Sequence, residues 1–100
     1  MTIQAERLVL LDPTSVPIPV APGAMAPRPR SLEGLRLGIL ANSKPFSREL
    51  LELLAEKLQR DYGIASIVTW TKRTFAVVAP GVLLDEVAAR SDVVLTAIGD

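Results

Sequence analysis

The run Val93-Val94-Leu95-Thr96-Ala97-Ile98 constrains the fold more than any other stretch of the chain. It is β-branched or apolar almost throughout, with one hydroxyl, which suits a strand covered on both faces. Strands of that kind belong to parallel sheets flanked by helices. The run closes on Gly99-Asp100, a turn delivered to the sheet edge where open α/β proteins place their ligands.

Residues 31–92 supply the rest of such a sheet. Leu35 to Leu40 is an apolar strand candidate leading into the turn-rich Ala41-Asn42-Ser43-Lys44-Pro45. From Phe46 to Tyr62 the apolar residues Leu50, Leu51, Leu53, Leu54, Leu58 and Tyr62 recur at helical spacing. Ser47 is placed to cap that helix, Glu49 suits the positive end of its dipole, and Gly63 follows as the residue that ends it. Ala65 to Trp70 reads as a second strand. Thr74 to Pro80 has two readings, a further strand through Phe75 to Ala79 or a connecting segment. Val82 to Arg90 is a shorter amphipathic helix with Leu83, Leu84, Val87 and Ala88 on one side.

Strand, helix, strand, helix, strand with right-handed crossovers predicts an α/β, three-layer, parallel-sheet half domain of Rossmann-like or flavodoxin-like type over residues 31–100. Residues 1–30 are different material. After Leu8-Val9-Leu10-Leu11 come Pro13, Pro17, Pro19, Pro22, Pro27 and Pro29. Prolines at that density exclude a helix or an inner strand and predict an extended arm. The arm is either a disordered tail or a strap on a partner subunit, anchored by Leu8 to Leu11.

The folding unit is then about two thirds of a 100-residue chain, marginal in size unless a partner or further segment contributes. Eleven acidic and eleven basic residues balance, so no net field steers nucleic acid or an anionic membrane to it. No partner of either kind is expected. No run approaches a membrane span and no basic-apolar leader opens the chain, which predicts a cytoplasmic protein. With neither Cys nor His, there is no disulfide, thiol nucleophile, imidazole base or ready metal or haem site, and no cofactor is evident.

Three groups fall on the carboxyl edge of the predicted sheet: Asn42-Ser43-Lys44, Lys72-Arg73 and Gly99-Asp100. Asn42, Ser43 and Lys44 combine an amide, a hydroxyl and an ammonium at a helix start, which suits a small anion or substrate. The alternative is an ordinary turn with a solvated lysine, since neither a Walker loop nor a G-x-G-x-x-G is present. Lys72 and Arg73 read more simply as an exposed pair, and Trp70 and Phe75 as core or interface residues.

The stretch from Ala26 to Leu40, the turn Asn42-Ser43-Lys44-Pro45 with its leucine-rich helix, and the ending Leu95-Thr96-Ala97-Ile98-Gly99-Asp100 together resemble the UGSC family of predicted selenoproteins. Leu11-Asp12-Pro13-Thr14 is similar to the family's opening. Ser43 stands where the family turn has glycine and Phe46 where it has a second asparagine, so Ser43 gives up easy access to positive φ. The resemblance implies that selenocysteine or cysteine, then Gly-Ser-Cys, follows Asp100. A selenocysteine codon, UGA, reads as stop by default, which would end the chain there.

That resemblance makes the chain the N-terminal part of a thiol or selenol redox protein, inactive alone, with its reacting pair just beyond Asp100. Asn42, Ser43 and Lys44 would bind substrate or steady its anion, and Gly99 and Asp100 would shape the loop; no catalytic residue or metal ligand is assigned within the chain. The reading from another class is a non-catalytic α/β subunit that completes its sheet with a partner chain or as a homo-oligomer and binds a small anion. A truncated product without activity is the third.

Overall fold

The computed structural model describes residues 7–99 and contains β1 (Arg36–Ala41), α1 (Ser47–Tyr62), β2 (Ser66–Thr71), α2 (Gly81–Arg90) and β3 (Val93–Ala97). The strands are all parallel and lie in the order β2-β1-β3. The first crossover steps from β1 to one side and the second steps back past it, so right-handed connections put α1 and α2 on opposite faces. This is half of a Rossmann-like α/β fold, with the strand order that opens the flavodoxin-like arrangement. Its ligand crevice would lie between the carboxyl ends of β1 and β3.

The central strand is β1, and it carries the core. Leu37, Ile39, Leu40 and Ala41 are each at most 8% exposed. Leu37, Ile39 and Ala41 pack with Leu51, Ala55 and Ile64 on the α1 face. On the other face Gly38 leaves room for the α2–β3 connection. A methyl group there would overlap Ser91 Oγ and sit 3.0 Å from Ser91 Cβ and 3.2 Å from Trp70 Cζ3.

The expectation that the Val93 strand is covered on both faces needs correction. β3 is an edge strand of this sheet, its burial alternates, and Val94 on its outer face is 44% exposed. The doubly covered strand is β1, which both α1 and α2 contact and which is buried from Leu37 to Ala41. The first helix also buries less than its pattern suggests. Leu51 and Ala55 are buried and Leu58 half-buried, whereas Leu50, Leu53, Leu54 and Tyr62 are 41–66% exposed. One helix resting mainly on one strand can cover only a narrow stripe of itself.

Local rules fare better at the helix end. Gly63 takes φ 74° and its N–H donates to Gln59 O at 3.0 Å, closing α1 with a left-handed residue as expected. At the start, however, Phe46 occupies the cap position and makes no side-chain capping bond; Ser47 is already helical and wholly buried. Residues 72–80 form no strand, so the connecting-segment reading of Thr74 to Pro80 is the correct one.

From Arg7 to Arg30 the chain forms no helix or strand and every residue is exposed. The arm stretches the molecule to 78 × 35 × 30 Å. Its local order includes a turn in which Thr14 N–H donates to Asp12 Oδ1 at 2.9 Å. Hydrogen bonds from Thr14 hold the Asp12 carboxyl below its ordinary value.

At the amino edge of the sheet, away from the crevice, Arg36 and Asp92 lock β1 to β3. Arg36 Nε and Nη2 donate to the two Asp92 oxygens at 3.2 and 3.1 Å, Arg36 N–H donates to Oδ2 at 2.8 Å, and Asp92 N–H returns a bond to Arg36 O at 2.8 Å. The side-chain bond from Arg36, then its backbone bond, lowers the Asp92 pKa. A carboxyl depressed on folding adds stability above its unfolded pKa of about 3.9, and that stability goes as pH falls through the folded value. The urea midpoint is therefore expected to hold from neutral pH to about 5 and to fall below about 4. Asp92→Asn should flatten that fall, and an unchanged acid limb would remove Asp92 from it.

Candidate functional site at the carboxyl edge

The crevice is built from the turn after β1, the first turn of α1 and the exit of β3. Ser47 joins all three. Its Oγ donates to Ala97 O at 2.8 Å and accepts the Asn42 N–H at 3.3 Å. Asn42 Nδ2 donates to Ile98 O at 2.5 Å, and Asn42 Oδ1 accepts the Lys44 N–H at 3.2 Å. Thr96 Oγ1 adds a bond to Leu40 O at 2.9 Å. The end of β3 is thus held against the start of α1 by side chains some fifty residues away in sequence.

Of the residues predicted for the site, Asn42 spends both ends of its amide on this scaffold. Ser43 Oγ donates to Lys72 O, which ties the first turn to the exit of β2. Lys44 Nζ stands 5.1 Å from the centre of the Phe75 ring, a cation–π distance. Gly99 follows the clamped Ile98 and is exposed; Asp100 lies outside the described residues. Trp70 is half-buried and has the Arg90 guanidinium 5.6 Å from its ring, while Phe75 is 57% exposed. The Lys72 N–H donates to Ala41 O at 2.8 Å, and the Arg73 side chain faces solvent.

Ser47 is the site residue that sequence reasoning placed wrongly. A serine ahead of a helical pattern signals a cap, and only its complete burial, visible in the fold, marks it as a bridge to β3. The cap position shows a second feature. Ser43 and Phe46 both take left-handed backbone, φ 70° and 66°, although neither residue type favours it. Phe46→Asn removes a side chain that is 76% exposed and supplies one that tolerates this conformation. It is expected to raise stability by about 0.5–1 kcal/mol, a thermal-melt shift of several degrees; a lower melting point would contradict the strain.

The N-terminus of α1 brings the positive end of its dipole to this edge, and Lys44 belongs to the turn just ahead of it, its backbone carbonyl accepting the Ser47 N–H at 3.1 Å. A separate open groove of about 300 Å³, lined by Glu52, Glu56, Gln59, Ile67 and Thr69, runs between α1 and β2 and involves none of these residues. Among the described residues no acidic cluster could hold a metal ion, and no helix is long and apolar enough to cross a membrane.

The UGSC family model matches residues 9–100, nearly the whole chain. The chain belongs to the UGSC family. No curated protein and no solved structure matches it. The UGSC match spans both halves of the crevice, the Asn42 turn and the Ile98-Gly99-Asp100 end, as well as most of the arm.

Proposed function

We propose that this UGSC domain is the N-terminal part of a thiol- or selenol-dependent oxidoreductase whose reacting pair follows Asp100 in a (Sec/Cys)-Gly-Ser-Cys stretch. The observation that carries the reading is the double clamp on the exit of β3, Ser47 Oγ to Ala97 O and Asn42 Nδ2 to Ile98 O. A group following Gly99 from that clamp would start near the α1 N-terminus.

A selenolate or thiolate there would attack one sulfur of an oxidised S–S substrate, forming a mixed bond and expelling the other sulfur as thiolate. The second thiolate of the pair would then attack the first chalcogen, release the remaining substrate sulfur with its electron pair, and leave a selenenylsulfide or disulfide. The positive end of α1 and Lys44 would stabilise the attacking anion and lower its pKa. Asn42 and Ser43 would hold the turn in the shape that places Lys44.

Sequencing the messenger beyond the Asp100 codon tests this: a UGA or cysteine codon followed by Gly-Ser-Cys is expected, and any other continuation overturns it. Within the present chain, Lys44→Gln is expected to weaken inorganic phosphate binding severalfold in calorimetry while moving the thermal midpoint by no more than a degree or two. Unfolding of that variant would instead make Lys44 structural. A second reading, a non-catalytic subunit completing its sheet with a partner, is favoured by one observation: β2 and β3 each pair with β1 alone among the described residues.

A further inference from the structure

The outer edge of β2 pairs with no strand among the described residues. It runs Ser66-Ile67-Val68-Thr69-Trp70-Thr71, without a charge, a proline or a lysine guard. An edge of that length and composition templates association unless something covers it.

The arm contains a segment shaped for that task. In an extended strand, successive residues direct their N–H and C=O groups to opposite edges. In Val16-Pro17-Ile18-Pro19-Val20 the valines and isoleucine therefore present donors and acceptors along one edge, while Pro17 and Pro19 leave the other without donors. Such a strand pairs on one side and ends the sheet on the other. Its three β-branched side chains share one face, because the period is two.

Nothing in its own domain uses this pattern. Val16, Ile18 and Val20 are 84%, 87% and 72% exposed. No residue from Pro13 to Pro27 is charged, and none in β2 is, so the two surfaces match in charge as well as in hydrogen bonding. Eleven residue-to-residue steps lead from Val20 to Ser31. At about 3.1 Å each in an extended proline-rich segment they span roughly 34 Å, enough to cross to a neighbouring molecule.

We propose that Val16–Val20 of a second copy pairs along the free edge of β2, and that two copies exchange arms about a twofold axis. The partner is another molecule of this chain and the interface a β-strand addition whose prolines stop the sheet from growing.

Light scattering on the 100-residue chain at micromolar concentrations is expected to give twice the 10.7 kDa chain mass. Ile18→Pro removes a donor from the pairing edge in both copies. It should weaken dimerisation at least about tenfold with the circular-dichroism spectrum of the domain retained. Pro17→Ala with Pro19→Ala restores donors on the outer edge and should keep the dimer while adding larger assemblies. A monomeric wild type, or a dimer indifferent to Ile18→Pro, overturns the proposal. A monomer whose β2 amides resist hydrogen exchange also overturns it, by placing the arm on its own edge.

Discussion

Ile39→Ala is expected to cost about 2–5 kcal/mol and to leave the isolated domain largely unfolded at room temperature. Ile39 is fully buried at the middle of β1, among the described residues the one strand with neighbours on both sides, and contributes to the cluster of Leu37, Ala41, Leu51, Ala55 and Ile64. The cavity left by three lost carbons cannot collapse, because β2 and β3 hold β1 in register on either side. A folding unit of about 65 residues has about 3–10 kcal/mol in total at ordinary per-residue stability. Leu53→Ala, at a residue 66% exposed, removes a similar side chain and should stay within about 0.5 kcal/mol of wild type. Urea unfolding followed by circular dichroism separates the two, and equal midpoints would place the core elsewhere.

Ser47→Ala carries the second largest expected effect, and it reaches the crevice. The substitution removes one small buried group yet deprives Ala97 O of a donor and the Asn42 N–H of an acceptor. Leaving two part-buried backbone groups without these partners costs about 1–3 kcal/mol, at or above the loss of a helix cap alone. A capping serine would also leave β3 untouched, whereas the bridge requires that amide exchange accelerate at Ile98 and Gly99 as well as at the start of α1. Acceleration confined to the first turn of α1 would return Ser47 to the role of a simple cap.

The alternation of elements was legible because each has its own hydrophobic period, and Gly63 announced the end of α1 by residue type alone. Strand order was not, since a run such as Val93 to Ala97 reads the same at an edge as in the middle when the neighbours are set by crossovers. The apolar excess on α1 concealed which stripe packs, because Leu50 and Leu54 look no different from Leu51 and Leu58. Within the site, the Asn42 turn and the Gly99 end could be placed on one edge from topology. Their connection through Ser47 could not, because it depends on a partner fifty positions away. The Arg36–Asp92 lock is hidden for the same reason, and the left-handed backbone at Ser43 and Phe46 because those residue types do not signal it.

The central claim is that the α1 N-terminus and Lys44 activate a chalcogen delivered by β3. Its most direct test is the pH dependence of iodoacetamide alkylation in a product that continues beyond Asp100 with Cys-Gly-Ser-Cys. The first thiol is expected to titrate well below the ordinary value of about 8.5, and Lys44→Gln should move it back toward that value. A thiol that titrates near 8.5 in both proteins would contradict the account.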